Sequence, residues 1–168
     1  MLTLGNKLTL NSQPIYKFLN DHSIDFDGVD DRIITDGADT VAQPTTYSFW
    51  CKASETGTNK GLFGHGSQQI GAFHFNIGNR PLLWLNSNCF RYWDNISAQD
   101  DGEWHHWVLY VDTNDITNSK LYVDGTLISI NQIVDTSEDG AASYGQNLTI
   151  GSYKNNNTAV DAHFSGSI

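Results

Sequence analysis

The chain has 168 residues, enough for one domain with a self-sufficient core, and its 39% hydrophobic and 17% charged residues exclude a disordered chain. Its longest apolar runs are about six residues, far short of the roughly 20 needed to cross a bilayer, so no membrane partner is expected. A formal net charge of −10 repels phosphate backbones and argues against nucleic acid as a partner.

Residues 1–20 read as an N-terminal arm, in which "KLTLN" can form a short strand before Pro14 interrupts it. Gly5, Asn6, Lys7 and Asn11 break any continuous apolar stretch, so no secretory leader is expected, and the sequons at Asn95, Asn147 and Asn156 carry little weight as glycosylation sites. From residue 21 onward the pattern has period two. "SIDFDG" puts Ile24 and Phe26 on one face, and "RIIT" follows a turn rich in Asp and Gly. "TYSFWCKA" puts Tyr47, Phe49 and Cys51 on one face and Ser48, Trp50 and Lys52 on the other. "GLFGHG", "AFHFNIG", "PLLWLN" and "CFRYWDN" are further short strands separated by Gly, Asn and Pro. In "DGEWHHWVLYVD" the Asp101-Gly102 turn launches a strand with His105, Trp107, Leu109 and Val111 on a core face and Trp104, His106, Val108 and Tyr110 on a mixed one. In "KLYVDGTLISI", Asp124-Gly125 supplies the pair of positive φ angles that a type I′ hairpin needs. A polar loop covers 134–145, "NLTIGSY" is another strand, and "AHFSGSI" closes the chain. Of the 19 acidic residues 16 are Asp, which favours turns and caps, and only Glu55, Glu103 and Glu138 are Glu. About a dozen short strands with no helical window predict an all-β fold, a two-sheet antiparallel jelly-roll sandwich.

Few residues are arranged for chemistry. Adjacent strand histidines point to opposite faces, so His105 and His106 do not chelate one metal, and His-x-His and His-Glu-x-x-His are both missing. Trp104 and His105 therefore read as structural, a large aromatic anchor and a hydrogen-bonded histidine at a strand entrance. "GHGSQQ" lacks the second glycine of a nucleophile elbow and the Gly-Lys-Ser/Thr ending of a phosphate loop. Cys51 and Cys89 permit a disulfide without requiring one, and read as two small buried thiols. The aromatic residues of "NCFRYWDN" and Tyr153 near "KNNN" are the candidate sugar contacts. Alternation is expected to bury Phe90 and Tyr92 and to turn Trp93 outward, which leaves Trp93 and Tyr153 as the carbohydrate-binding candidates.

The ordered motifs "SIDFDGVDDRI", "YSFWCKA", "GLFGHG", "DGEWHHWVLYVD", "KLYVDGTLI" and "LTIGSY" resemble the LamG-like jelly-roll domains of the concanavalin A-like lectin/glucanase superfamily. The resemblance covers roughly residues 23 to 168 and implies a role in adhesion, recognition or virion architecture. It includes glucanases, but a retaining glucanase of that kind sets its carboxylates about 5 Å apart on one strand as Glu-x-Asp-x-Glu. The three scattered glutamates form no such set, so the chain is read as no enzyme. The resemblance also implies calcium: Asp27, Asp30 and Asp31 place three hard oxygen donors within one turn, as Ca²⁺ requires, while a capped turn with solvated carboxylates explains the same residues without a metal. Such domains continue past their last glycine into a further strand, whereas this sequence stops at Ile168; residues 21–168 are thus read as a sandwich short of its usual last strand.

The leading functional expectation is a non-catalytic structural, decoration or adhesion module of a bacteriophage virion, made in the host cytoplasm. Its partners would be other virion proteins or surface glycans, with oligomeric contacts through residues 1–20. The alternative is a carbohydrate-binding, lectin-like domain of a larger surface or secreted protein, in an extracellular setting. Hydrolysis of glycans has the least support.

Overall fold

The structure is a computed structural model and describes residues 22–35, 44–53, 60–65, 70–76, 80–86, 89–94, 96, 99–135, 147–154 and 161–168. The arm at 1–20, the loop at 136–146 and the sequons at Asn95 and Asn156 lie outside the described residues. Strands are numbered along the chain. One sheet has six strands, in the order β1 (Asp25–Asp27), β15 (Ser165–Ser167), β3 (Thr45–Ala53), β8 (His105–Val111), β9 (Lys120–Val123) and β10 (Thr126–Leu127). The other has seven, in the order β11 (Ile130–Asp135), β7 (Cys89–Trp93), β6 (Arg80–Asn86), β5 (Ile70–Asn76), β4 (Lys60–His65), β12 (Leu148–Ile150) and β2 (Ile33–Ile34). A ribbon of β13 (Ser152–Lys154) and β14 (Asp161–His163) lies over β4. Every strand pair is antiparallel, and the helical content among the described residues is confined to 3₁₀ turns such as Ile116–Asn118. This is the expected jelly-roll sandwich. No helix among the described residues is long and apolar enough to cross a membrane.

The core lies between the sheets and is joined by aromatic rings. Trp107 of β8 packs edge-on against Phe75 of β5 at 5.4 Å between centroids. Phe49 of β3 meets Phe63 and Phe73 at 6.1 and 6.4 Å, and Tyr47 meets Phe63 at 4.6 Å. Edge-to-face contacts of this kind add stabilisation beyond the area that they bury. Phe49, Phe73 and Trp107 sit at alternate-face positions of their strands, so these contacts fix which side of each strand faces inward.

The predicted local signals are present. Asp124 and Gly125 have φ of 50° and 76°, and Val123 pairs with Thr126 across a two-residue turn. Gly102 has φ 77° and Asp101 accepts the Glu103 N–H, so the turn before β8 forms as expected. Gly61 and Gly64 of β4 make room for the ribbon: a Cβ on Gly61 would fall 2.5 Å from the Tyr153 backbone nitrogen. Cys51 and Cys89 are free and buried, and burial pushes the Cys51 thiol up, so it stays protonated. β15 starts within "FSGSI" and pairs with both β1 and β3, and Ile24 and Ile168 exchange backbone hydrogen bonds of 3.0 Å.

Trp104 corrects an expectation. It precedes β8 and remains 40% exposed, so it is no buried anchor; Trp107, 1% exposed, is. The reason is parity: Trp107, Leu109 and Val111 occupy the inward positions, and Trp104 falls outside the strand that carries them. Trp107→Ala is expected to destabilise by about 3–5 kcal/mol and Trp104→Ala by less than about 1 kcal/mol. Denaturant unfolding of the two variants checks the order, and equal losses would contradict this packing.

Candidate functional site

The outward positions of the six-stranded sheet collect aromatic and polar side chains in rows. Trp50 of β3 lies opposite His106 of β8. Ser48 lies opposite Val108, which in turn faces Tyr122 of β9; Thr46 lies opposite Tyr110, which faces Lys120. With Phe49, Cys51, Trp107 and Leu109 held inward, these residues must point out. Trp50 is 53% exposed, a large apolar surface to leave in water, and its ring lies 5.2 Å from the His106 ring. On the same face, further along the strands, an open hollow of about 460 Å³ is lined by Thr46, Val108, Tyr110, Asn118, Lys120 and Tyr122. Flat rings flanked by hydroxyl, amide and ammonium groups offer stacking and hydrogen bonding together.

The hairpin at one end of this face is tied down by His105. Its Nδ1 bonds Asp124 Oδ2 at 2.6 Å and its Nε2 bonds Asp101 Oδ1 at 3.1 Å, while Asp124 Oδ1 accepts the His106 N–H at 2.9 Å. Burial disfavours the charged ring, but the hydrogen bonds to Asp124 and Asp101 outweigh it, and the His105 pKa is raised above 6.5. The Glu103 N–H, then His105, hold the Asp101 carboxyl low, and His105, then the His106 N–H, do the same for Asp124. This is the structural role expected of His105. Ser48 Oγ also bonds His106 Nε2 at 2.9 Å. A nucleophile–base pair needs a third group to orient the imidazole; the nearby Asp124 instead holds the His105 ring and the His106 backbone N–H.

The predicted sugar contacts fall elsewhere, and both need correction. Trp93 is 0% exposed, packed on Phe73 inside the sandwich. The parity of β7 is the reverse of that expected: Cys89, Arg91 and Trp93 are buried, and Phe90 and Tyr92 are the half-exposed pair on the outer side. The inward Arg91 is tolerated because its Nη1 reaches the carbonyls of Ile116 and Thr117 at 2.7 and 2.8 Å. Tyr153 is 2% exposed and stacks on His74 at 4.3 Å, over the glycines of β4. Burial, then the neighbouring Tyr92, pushes its phenol up to about 12, and burial pushes His74 down to about 3, so both are neutral. Neither Trp93 nor Tyr153 offers an exposed ring on which a sugar could stack. Asp27, Asp30 and Asp31 do come together: one carboxylate oxygen of each lies within 4.8 Å of the others, all exposed. Asp27 Oδ1 accepts the Val29 N–H at 2.7 Å and Asp31 Oδ2 accepts the Asp27 N–H at 3.0 Å, so the carboxylates also cap their own turn. The residues missed were Trp50, Tyr110 and Tyr122. Alternation had put Trp50 with Ser48 and Tyr110 with His106, but only the strand register joins the two sets.

A family model, Laminin_G_3 of the concanavalin A-like lectin/glucanases superfamily, matches residues 27–168. The chain belongs to that superfamily. No curated protein matches it. Among solved structures, domains LG4-5 of the mouse laminin alpha1 chain superpose with a TM-score of 0.54 at 18% identity, over 85% of this chain and 39% of that one. This chain therefore spans about two-fifths of the laminin structure, and the likeness is one of fold. The CBM40 of Ruminococcus gnavus IT-sialidase, bound to alpha2,3 sialyllactose, gives a TM-score of 0.47 at 18% identity, over 87% of this chain and 85% of that one. The LamG-like resemblance of the motifs is thus shown at the level of family and fold.

The His105 clamp has a pH signature. Its raised pKa gives stability that is fully present below pH 6.5 and is lost as pH rises through the folded-state value. The lowered carboxyls give stability that is present above pH 3.8 and is lost as pH falls through their folded-state values. The melting temperature of His105→Gln, relative to the native chain, is expected to show its largest deficit between these limits and to converge on the native value at alkaline pH. A pH-independent difference would contradict the clamp.

Proposed function

We propose that the protein is a non-catalytic recognition domain that binds surface glycans on the outer face of its six-stranded sheet. The observation that carries the reading is Trp50, half exposed on the same sheet face as the hollow that Tyr110 and Tyr122 line. The apolar C–H face of a pyranose stacks on such rings, and Thr46, Ser48, Asn118 and Lys120 stand where its hydroxyls would need partners. The non-catalytic part is supported by the Ser48–His106 pair, which among the described residues has no carboxylate hydrogen-bonded to the His106 ring. This reading places the domain outside a cell or on a particle surface. A second reading makes it a structural part of a larger assembly such as a bacteriophage virion, with neighbouring proteins as partners. The exposed side chains of Ile24, Val29 and Ile34 favour it as apolar contact points.

A glycan array probed with the purified chain is expected to show saturable binding that Trp50→Ala weakens by about tenfold or more, with no release of reducing ends from β-glucans or bacterial polysaccharides. Binding unaffected by Trp50→Ala would move the site elsewhere, and sustained turnover would make the protein an enzyme.

The turn at Asp27, Asp30 and Asp31 extends the proposal to calcium. Three carboxylates supply hard oxygens but only part of the six to eight that Ca²⁺ takes, so backbone carbonyls and water complete the set. Titration calorimetry is expected to give a heat of Ca²⁺ binding that Asp30→Asn abolishes. No heat from the native chain would leave the turn as a capped loop alone.

A further inference from the structure

At one flank of the sandwich, β7 and β11 of the seven-stranded sheet face the β9–β10 hairpin of the other. A cavity of about 210 Å³ opens there, with Arg91, Trp93 and Lys120 in its lining and Leu127, Ile128 and Ile130 as its apolar wall. That is room for a small organic molecule rather than a single water. Leu127 and Ile130 are 55% and 47% exposed, so the cavity has an open mouth.

Arg91 is the unusual member. It is 2% exposed. Its role as a strut between the sheets accounts for one nitrogen, because both bonds to the 3₁₀ turn leave from Nη1. Its Nε is buried without a partner, and among the described residues Nη2 has none either. The Trp93 ring, 5.4 Å from the guanidinium, packs against it and carries a second orphaned donor at Nε1. Asp115 acts on Arg91 only at a distance; its carboxylate accepts the Thr117 N–H at 2.9 Å. The two carbonyls satisfy Nη1, but the buried Nε donor is unmet and no carboxylate touches the charge, a cost that an incoming anion would offset. The Nε–Nη2 edge is the fork that pairs bidentately with a carboxylate. Lys120, an exposed residue, also lines the cavity, so its ammonium is within reach of the mouth.

We infer that this cavity binds a small organic carboxylate, its oxygens on the free Arg91 edge with Lys120 and the Trp93 indole N–H as further donors, and its apolar part against Leu127, Ile128 and Ile130. The cavity shares Lys120 with the glycan face but is built on Arg91 and Trp93, which are buried inside the sandwich. The carboxylate can come from a free aliphatic acid or from an acidic sugar, which share this chemistry.

The test follows the Arg91 Nε–H and Trp93 indole signals by NMR while the full chain is titrated with isobutyrate, with methyl glucuronide, and with isobutyramide as the uncharged isostere. Saturable shifts of both signals are expected with a carboxylate and not with the amide. Tighter binding of isobutyrate identifies a free aliphatic acid as the source, and tighter binding of the glucuronide an acidic sugar. Lys120→Met is expected to weaken binding by about tenfold, and Leu127→Trp, at an exposed position across the mouth, to abolish it. Trp50→Ala is expected to keep carboxylate binding, which separates this site from the glycan face. Unmoved signals with both acids, or equal shifts with isobutyramide, would overturn the inference and leave Arg91 as a hydrated strut.

Discussion

The structure depends on rings that meet across the gap between two sheets. Trp107 against Phe75, and Phe49 against Phe63 and Phe73, decide which face of β8 and β3 is inside. A strand has only two faces, so a slip by one residue would turn every side chain over. Once Phe49 and Trp107 are buried, Trp50, His106, Tyr110 and, across the register, Tyr122 have no option but the outside. The exposed aromatic face is the complement of the core, set by the same alternation.

Two further ties keep the sandwich in this arrangement. His105 joins the turn before β8 to the β9–β10 hairpin through Asp101 and Asp124, so one imidazole fixes both loops at the same end of the sheet. Arg91 reaches from β7 to the first two carbonyls of the Ile116–Asn118 turn. The first tie is partly exposed and responds to pH. The second is buried, and its unused donor edge makes a cavity at the flank chemically specific. Neither competes with the outer face, so recognition there can change without disturbing the core.

Much of this was legible in the sequence because local rules carried it. The alternation of "TYSFWCKA", the Asp124-Gly125 hairpin and the Asp101-Gly102 turn each depend on a few neighbouring residues, and each formed as read. "CFRYW" failed because four of its five positions can be buried, which leaves parity to be decided by Arg91. An arginine normally marks the outer face, and only the carbonyls of Ile116 and Thr117, some 25 residues away along the chain, allow it inside. Tyr153 failed for a similar reason. Its burial needs Gly61 and Gly64 beneath it and His74 beside it, contacts that no reading of "GSYKNNN" contains. Alternation put Trp50 on the face opposite Phe49 and Cys51, but its neighbours Tyr110 and Tyr122 came from pairing between distant strands.

The central claim is that parity buries Trp93 and Trp107 in the core and leaves Trp50 on the surface, while Trp84 is half-buried and Trp104 is exposed ahead of β8. Indole N–H hydrogen exchange, resolved by residue, tests it most directly. Trp93 and Trp107 should exchange slowly, at rates set by opening of the core, and Trp50 and Trp104 at rates near those of a free indole. Protection of Trp50 together with fast exchange at Trp107 would mean that β3 and β8 present their other faces, and the account of both core and binding face would be wrong.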